Sequence, residues 1–329
     1  MWAVSSEVER FVDTEEVRGS IPLSPTIPLE LFLIRLLIYQ LFMFILLACM
    51  NNEMNDKHDL DKMDAGEKKR FVQYQKLIAS DLKQFLKKKA YPQIAACFRD
   101  PVLSHQILAI KAFTSLYEEF NEETDKLLDV MLRSFLSNQK FVAITLLVNI
   151  SFTHPDYAFP KIAKHASQNK ELVEIVSDAL KVKWQDRQHD LIDQFIQYWD
   201  LKNQHNLKKV AIMSLNPHSN EETDKMLDFL SIFMHESDAF LQNQIAIKIK
   251  DLYVREPYFV ESKMREWMKD IDPVHGSQIV VLAFKEINKR QDPNLLDRTC
   301  LILENWSKNA TPTIQETALK VLSILKERR

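Results

Sequence analysis

The 329-residue chain is 46% hydrophobic and 27% charged, enough for one extended domain or two compact ones. It holds only three glycines, Gly19, Gly66 and Gly276. That argues against P-loop, dinucleotide-binding and β-sandwich folds, which need glycine where φ is positive or backbone approaches phosphate. Residues 1–65 carry 5 basic and 11 acidic residues and the rest 38 and 35, so the body is mildly basic, compatible with nucleic acid without requiring it.

Residues 1–30 predict a disordered N-terminal segment, with scattered acids around Ile21-Pro-Leu-Ser-Pro. Leu31–Met50 is a run of 20 nearly all apolar residues, interrupted by Arg35 and Gln40, long enough to span a bilayer. Lys57, Lys62, Lys68, Lys69 and Arg70 follow it, so a spanning helix would leave the body in the cytosol. The alternatives are an upstream extension, with the true start at Met50 or Met54, or a buried helix. A cleaved signal peptide fits less well, because Glu30 and Arg35 intrude and no A-x-A site follows. Residues 51–66 predict an acidic linker: Asp59, Asp61 and Asp64 lack the remaining positions of a calcium loop.

From residue 67 to 329 the chain is periodic. A bulky apolar residue closes one helix, a polar turn follows, and an amphipathic helix then carries a small residue inward. Ala318 follows Trp306 and Ala211 follows Trp199 by twelve residues each, and Ala283 follows Trp267 by sixteen. The markers Phe98, Phe135, His165, Trp199, Phe233, Trp267 and Trp306 are separated by 37, 30, 34, 34, 34 and 39 residues. A period of that size is one helical hairpin, which cannot bury its own apolar stripe and must stack on its neighbours. Inside the repeats Ile107, Ile110, Phe113, Leu116 and Tyr117 keep the helical rhythm, and no alternation long enough for a sheet occurs. Asn121-Glu-Glu-Thr-Asp and Asn220-Glu-Glu-Thr-Asp are near copies and predict two capped helix starts. Pro92, Pro101, Pro155, Pro257, Pro273, Pro293 and Pro312 fall between helices or at their starts. The prediction is an all-α fold, a right-handed α-α superhelix of about seven two-helix repeats of the HEAT/ARM-like kind.

Trp199, Trp267 and Trp306 recur at the repeat spacing, which predicts core packing. Trp184 lies out of phase in the basic stretch Lys181-Val-Lys183-Trp184-Gln-Asp-Arg187 and is the best candidate for a surface tryptophan, partly packed. Cys49, Cys97 and Cys300 are widely spaced with no CxxC, which predicts free thiols in a reducing, cytoplasmic setting. No zinc-protease, nucleophile-elbow, Walker or EF-hand pattern occurs, and no cofactor or metal is expected.

Gln139 to Arg255 resembles the central part of AlkD-type DNA glycosylases, the HEAT-like repeat enzymes that excise alkylated bases. The similar segments are Gln139-Lys-Phe-Val-Ala-Ile144, Trp199 with Asn206-Leu-Lys-Lys-Val-Ala-Ile212, Glu221-Glu-Thr-Asp-Lys-Met-Leu227, Phe240-Leu-Gln-Asn-Gln-Ile-Ala-Ile247, then Leu252-Tyr253 and Pro257. The resemblance covers about a third of the chain and implies a DNA-binding groove. Counting back from Trp199 places Glu174 at the family's catalytic aspartate and Lys170 at a groove tryptophan. Lys209, beside Lys208, falls at a DNA-contacting arginine and Lys248 near a second groove tryptophan. A carboxylate at Glu174 could stabilise the cationic sugar formed on base expulsion. Lysines in place of both tryptophans forfeit cation–π attraction to a cationic lesion but can still hold phosphates.

The expectation is therefore a groove that binds duplex DNA, with Lys170, Lys208, Lys209 and Lys248 on phosphates and Glu174 as the electrostatic stabiliser if excision occurs. The alternative is a non-enzymatic scaffold that binds a protein partner in the same groove. A continuous basic strip favours DNA, whereas an apolar groove with mixed charge favours protein. A membrane-tethered adaptor is a third class, should residues 31–50 act as an anchor.

Overall fold

The computed structural model describes residues 63–99, 102–185, 187–217, 223–289 and 292–326. The expectations for residues 1–30 and 31–50, for residues 51–62 of the linker, and for Asn220–Glu222 lie outside these. Among the described residues the chain is all-α, with 15 helices and no strand. They are α1 (Ala65–Lys88), α2 (Pro92–Cys97), α3 (Leu103–Ser115), α4 (Asn121–Leu132), α5 (Ser137–Ile150), α6 (Pro155–Gln168), α7 (Glu171–Lys183) and α8 (Gln188–Tyr198). After them come α9 (His205–Ser214), α10 (Thr223–Ser231), α11 (Ala239–Arg255), α12 (Pro257–Glu266), α13 (His275–Asn288), α14 (Pro293–Asn309) and α15 (Pro312–Lys326). A π-helical turn, Trp267–Ile271, continues α12.

Local sequence sets many of the boundaries. The Asp64 side chain accepts from the Glu67 amide at 2.8 Å while the Glu67 carboxylate accepts from the Asp64 amide at 3.1 Å, a reciprocal cap. The end of the expected linker is therefore the first turn of α1. Pro92, Pro155, Pro257 and Pro293 occupy first-turn positions, where no amide hydrogen is needed. Asp238 and Asp292 cap α11 and α14. Asn121 does not cap: α4 begins at Asn121 itself, and its preceding residue, Phe120, has no capping side chain.

The odd-numbered helices pack in succession, α1 on α3, α3 on α5 and so on to α13 on α15, as one layer. The even-numbered helices from α4 onward form the second, with α6 on α8 and α8 on α10. This is the pairing of stacked hairpins, each burying its stripe against the next. Ala109, Ala143, Ala211, Ala246, Ala283 and Ala318 are all fully buried in the odd layer, where small residues permit close approach.

The even-layer markers also make polar ties between hairpins. Trp199 Nε1, at the end of α8, donates to the Phe159 carbonyl of α6 at 3.0 Å. Trp267 Nε1 donates to Ser231 Oγ of α10, and Trp306 Nε1 to Glu261 Oε1 of α12, both at 2.6 Å. His165 on α6, a tryptophan's stand-in, bonds Asp129 on α4 at 3.3 Å. Each buried ring thus satisfies its polar atom on the preceding even helix.

Two expectations are corrected. Phe135 is no closing residue: α4 ends at Leu132, and Phe135 stands fully exposed in the connection that follows. Leu132, 2% exposed, does the closing, which regularises the first two spacings to 34 and 33. Trp184 is 2% exposed rather than a surface residue. It packs 4.4 Å from the Phe152 ring and 5.8 Å from that of Phe159, and its Nε1 bonds Ser151 Oγ. Its basic neighbours Lys183 and Arg187 lie across the Phe152 ring, so they cover the cluster rather than signal exposure.

Candidate functional site

The solvent-facing stripes of α7, α9 and α11 form the face on which the sequence placed its site. On α7, helical spacing exposes Glu171, Glu174, Asp178 and Lys181 while the residues between are buried. On α9 the stripe is Asn206, Lys209 and Met213, half-buried. On α11 it is Phe240, Asn243, Ile247, Asp251 and Val254. Direct contact joins the last two helices: the Lys209 ammonium lies 4.8 Å from the centre of the Phe240 ring.

The five proposed residues have different fates. Glu174 is exposed on α7, and Lys170, also exposed, precedes that helix. Lys208 is turned to an ion pair with Glu236, both side chains only 16% exposed. Lys209 is held over Phe240. Lys248 is 6% exposed and does not present its ammonium to solvent. It donates to the Leu215 carbonyl at 2.6 Å and the Met213 carbonyl at 3.3 Å, closing the C-terminal end of α9.

The structure does bring Glu174 and Lys248 into one electrostatic neighbourhood, through a residue the sequence had not singled out. Asp178 lies one turn after Glu174 and interacts with Lys248 across the layer. Asp178 is exposed as a residue, yet partial desolvation of its carboxyl pushes it up; Glu174 adds to the rise, while Lys181 and Lys248 oppose it. Burial pushes the Lys248 amine down to about 7, helped by repulsion from Lys181 and Lys250 and opposed by Asp251 and Asp178. The exposed i, i+4, i+7 series Glu174, Asp178, Lys181 was the available signal for Asp178.

The face therefore interleaves carboxylates, apolar side chains and partly committed lysines. Its aromatic, Phe240, is covered by Lys209, and the α7 stripe around Glu174 carries no ring on which a base could stack. Among the described residues no group of three His, Cys, Asp or Glu side chains is placed to hold a metal ion. No described helix is long and apolar enough to cross a membrane. The chain matches no family model, no curated protein and no solved structure.

Proposed function

We propose that this chain is a non-enzymatic helical-repeat scaffold that binds a segment of a protein partner along the exposed face of α7, α9 and α11. One observation carries this: the face is a mixed surface, with Glu174, Asp178 and Lys181 set among Met213, Phe240, Ile247 and Val254. A phosphate backbone rewards a continuous row of free cations, whereas Lys208 is paired with Glu236 and Lys248 is committed to backbone carbonyls. A peptide offers both charges and apolar side chains and fits the mixture.

The test uses the full chain carrying a photo-cross-linker at Phe240 in cells, alongside a titration with short duplex DNA across salt. A discrete protein adduct that Glu174→Lys abolishes is the expected result. Micromolar DNA binding that weakens steeply with salt and drops for Lys170→Ala and Lys209→Ala would overturn it. That outcome would restore the DNA-groove reading and make base excision by Glu174→Gln the next assay.

A further inference from the structure

The exit of α9 is gripped from outside its own hairpin. Lys248 on α11 donates to the carbonyls of Met213 and Leu215. Two turns further along α11, Arg255 donates from Nη1 to the carbonyl of Pro217 at 2.5 Å. From the other side, Gln188 at the start of α8 accepts from the Asn216 amide at 2.9 Å. Three alternate carbonyls of the 213–217 segment thus end on two basic side chains of one neighbouring helix. This exceeds an ordinary helix terminus, where water or a local side chain satisfies the last carbonyls.

The geometry points to a proton-operated latch, in which Lys248 and Arg255 hold the 213–217 exit of α9 against α11 and protonation of Lys248 loosens the hold. The physical cause is the difference between the closed and open positions of one amine. Closed, Lys248 is buried, with Asp178 and Lys181 acting on it from α7 and Lys250 and Asp251 from α11. Open, it is a solvated lysine, for which the ammonium is strongly preferred. The open state therefore binds more protons above about pH 7, and closure gains as pH rises and loses as pH falls. Arg255 supplies the rest of the grip through its bond to the Pro217 carbonyl. Met213 lies on the proposed binding stripe, so the latch would set the order of one edge of that face.

The experiment is hydrogen exchange of the full chain, read as protection factors of the Ser214, Leu215 and Asn216 amides from pH 6 to pH 9. Protection in the native chain should rise by up to about 90-fold over that range, the amount that moving one amine between pKa values of about 7 and 10.5 provides. Lys248→Met should flatten the profile, while Arg255→Met should lower protection evenly at every pH. Should Lys248→Met fail to fold, two milder variants decide the matter. Lys181→Gln removes a repulsion and should move the midpoint up; Asp178→Asn removes an attraction and should move it down. A flat profile in the native chain, or a midpoint that neither variant moves, overturns the latch.

Discussion

The sharpest test of the packing exchanges the expected roles of two aromatic residues. Sequence position favours Phe135 as a core marker and Trp184 as a partly packed surface ring; the structure has Trp184 buried and Phe135 fully exposed. Replacing Trp184 by alanine removes a ring wedged between Phe152 and Phe159 and breaks its bond to Ser151 Oγ. A buried tryptophan hides roughly 150–250 Å², worth about 4–6 kcal/mol by area, and large-to-alanine core changes cost about 3–5 kcal/mol. About 4 kcal/mol is the expected loss for Trp184→Ala. Phe135→Ala removes only solvent-facing surface and should stay within about 0.5 kcal/mol of the parent. Urea unfolding followed by far- and near-ultraviolet circular dichroism measures both. Because repeat arrays can uncouple, the Trp184→Ala transition should also broaden. Equal losses for the two variants, or a loss above about 1 kcal/mol for Phe135→Ala, would refute the assignment of Leu132 as the closing residue and the packing drawn from it.

Other outcomes follow from individual polar groups. Thr124 and Thr223 are equivalent in the two Asn-Glu-Glu-Thr openings, but Thr124 Oγ1 is buried without a partner while Thr223 Oγ1 donates to Glu256 at 2.5 Å. Thr124→Val should therefore stabilise the fold by about 1 kcal/mol and Thr223→Val destabilise it by a similar amount, as midpoint shifts in urea will show. On the even layer Lys161 pairs with Asp129 at 2.7 Å and with Asp125, and Tyr157 Oη donates to Asp125 at 3.0 Å. Burial alone would raise the Asp129 carboxyl, but hydrogen bonds and charge from Lys161 and His165 hold it below its usual value. A depressed carboxyl stabilises above its unfolded pKa, so the native chain should lose this contribution as pH falls through the folded value, below about pH 4. Lys161→Met should cost about 1–2 kcal/mol at neutral pH and show a shallower loss on acidification.

The fold was legible because its signal is repeated. Any single marker is weak, as Phe135 shows, but a spacing near 34 that returns through His165, Trp199, Phe233 and Trp267 survives one wrong member. The mistake at Phe135 has a local cause: the α4–α5 connection carries an extra apolar pair, Phe135 and Leu136, just past a helix that Leu132 had already closed. Trp184 was misjudged because charge along the sequence stood in for exposure. Lys183 and Arg187 lie on the Phe152 ring, and a cation beside an aromatic marks the lid of a cluster as readily as a surface.

The site was far less legible, and Lys208, Lys209 and Lys248 show why. In sequence all three are polar positions on amphipathic helices and equally able to meet a phosphate. In the fold one is paired with Glu236, one lies on Phe240 and one is buried against carbonyls. Helical periodicity says which side of a helix faces the neighbouring layer, but not how much of the remaining charge is spent on adjacent repeats. That spending is settled by residues about one repeat away: Glu236 lies 28 residues from Lys208, and Leu215 lies 33 from Lys248. A binding surface on stacked hairpins is thus defined by what the inter-repeat contacts leave over. On α7, α9 and α11 the remainder is Glu174, Asp178, Lys181, Ile247 and Val254 rather than a row of free lysines, and a partner must match that remainder.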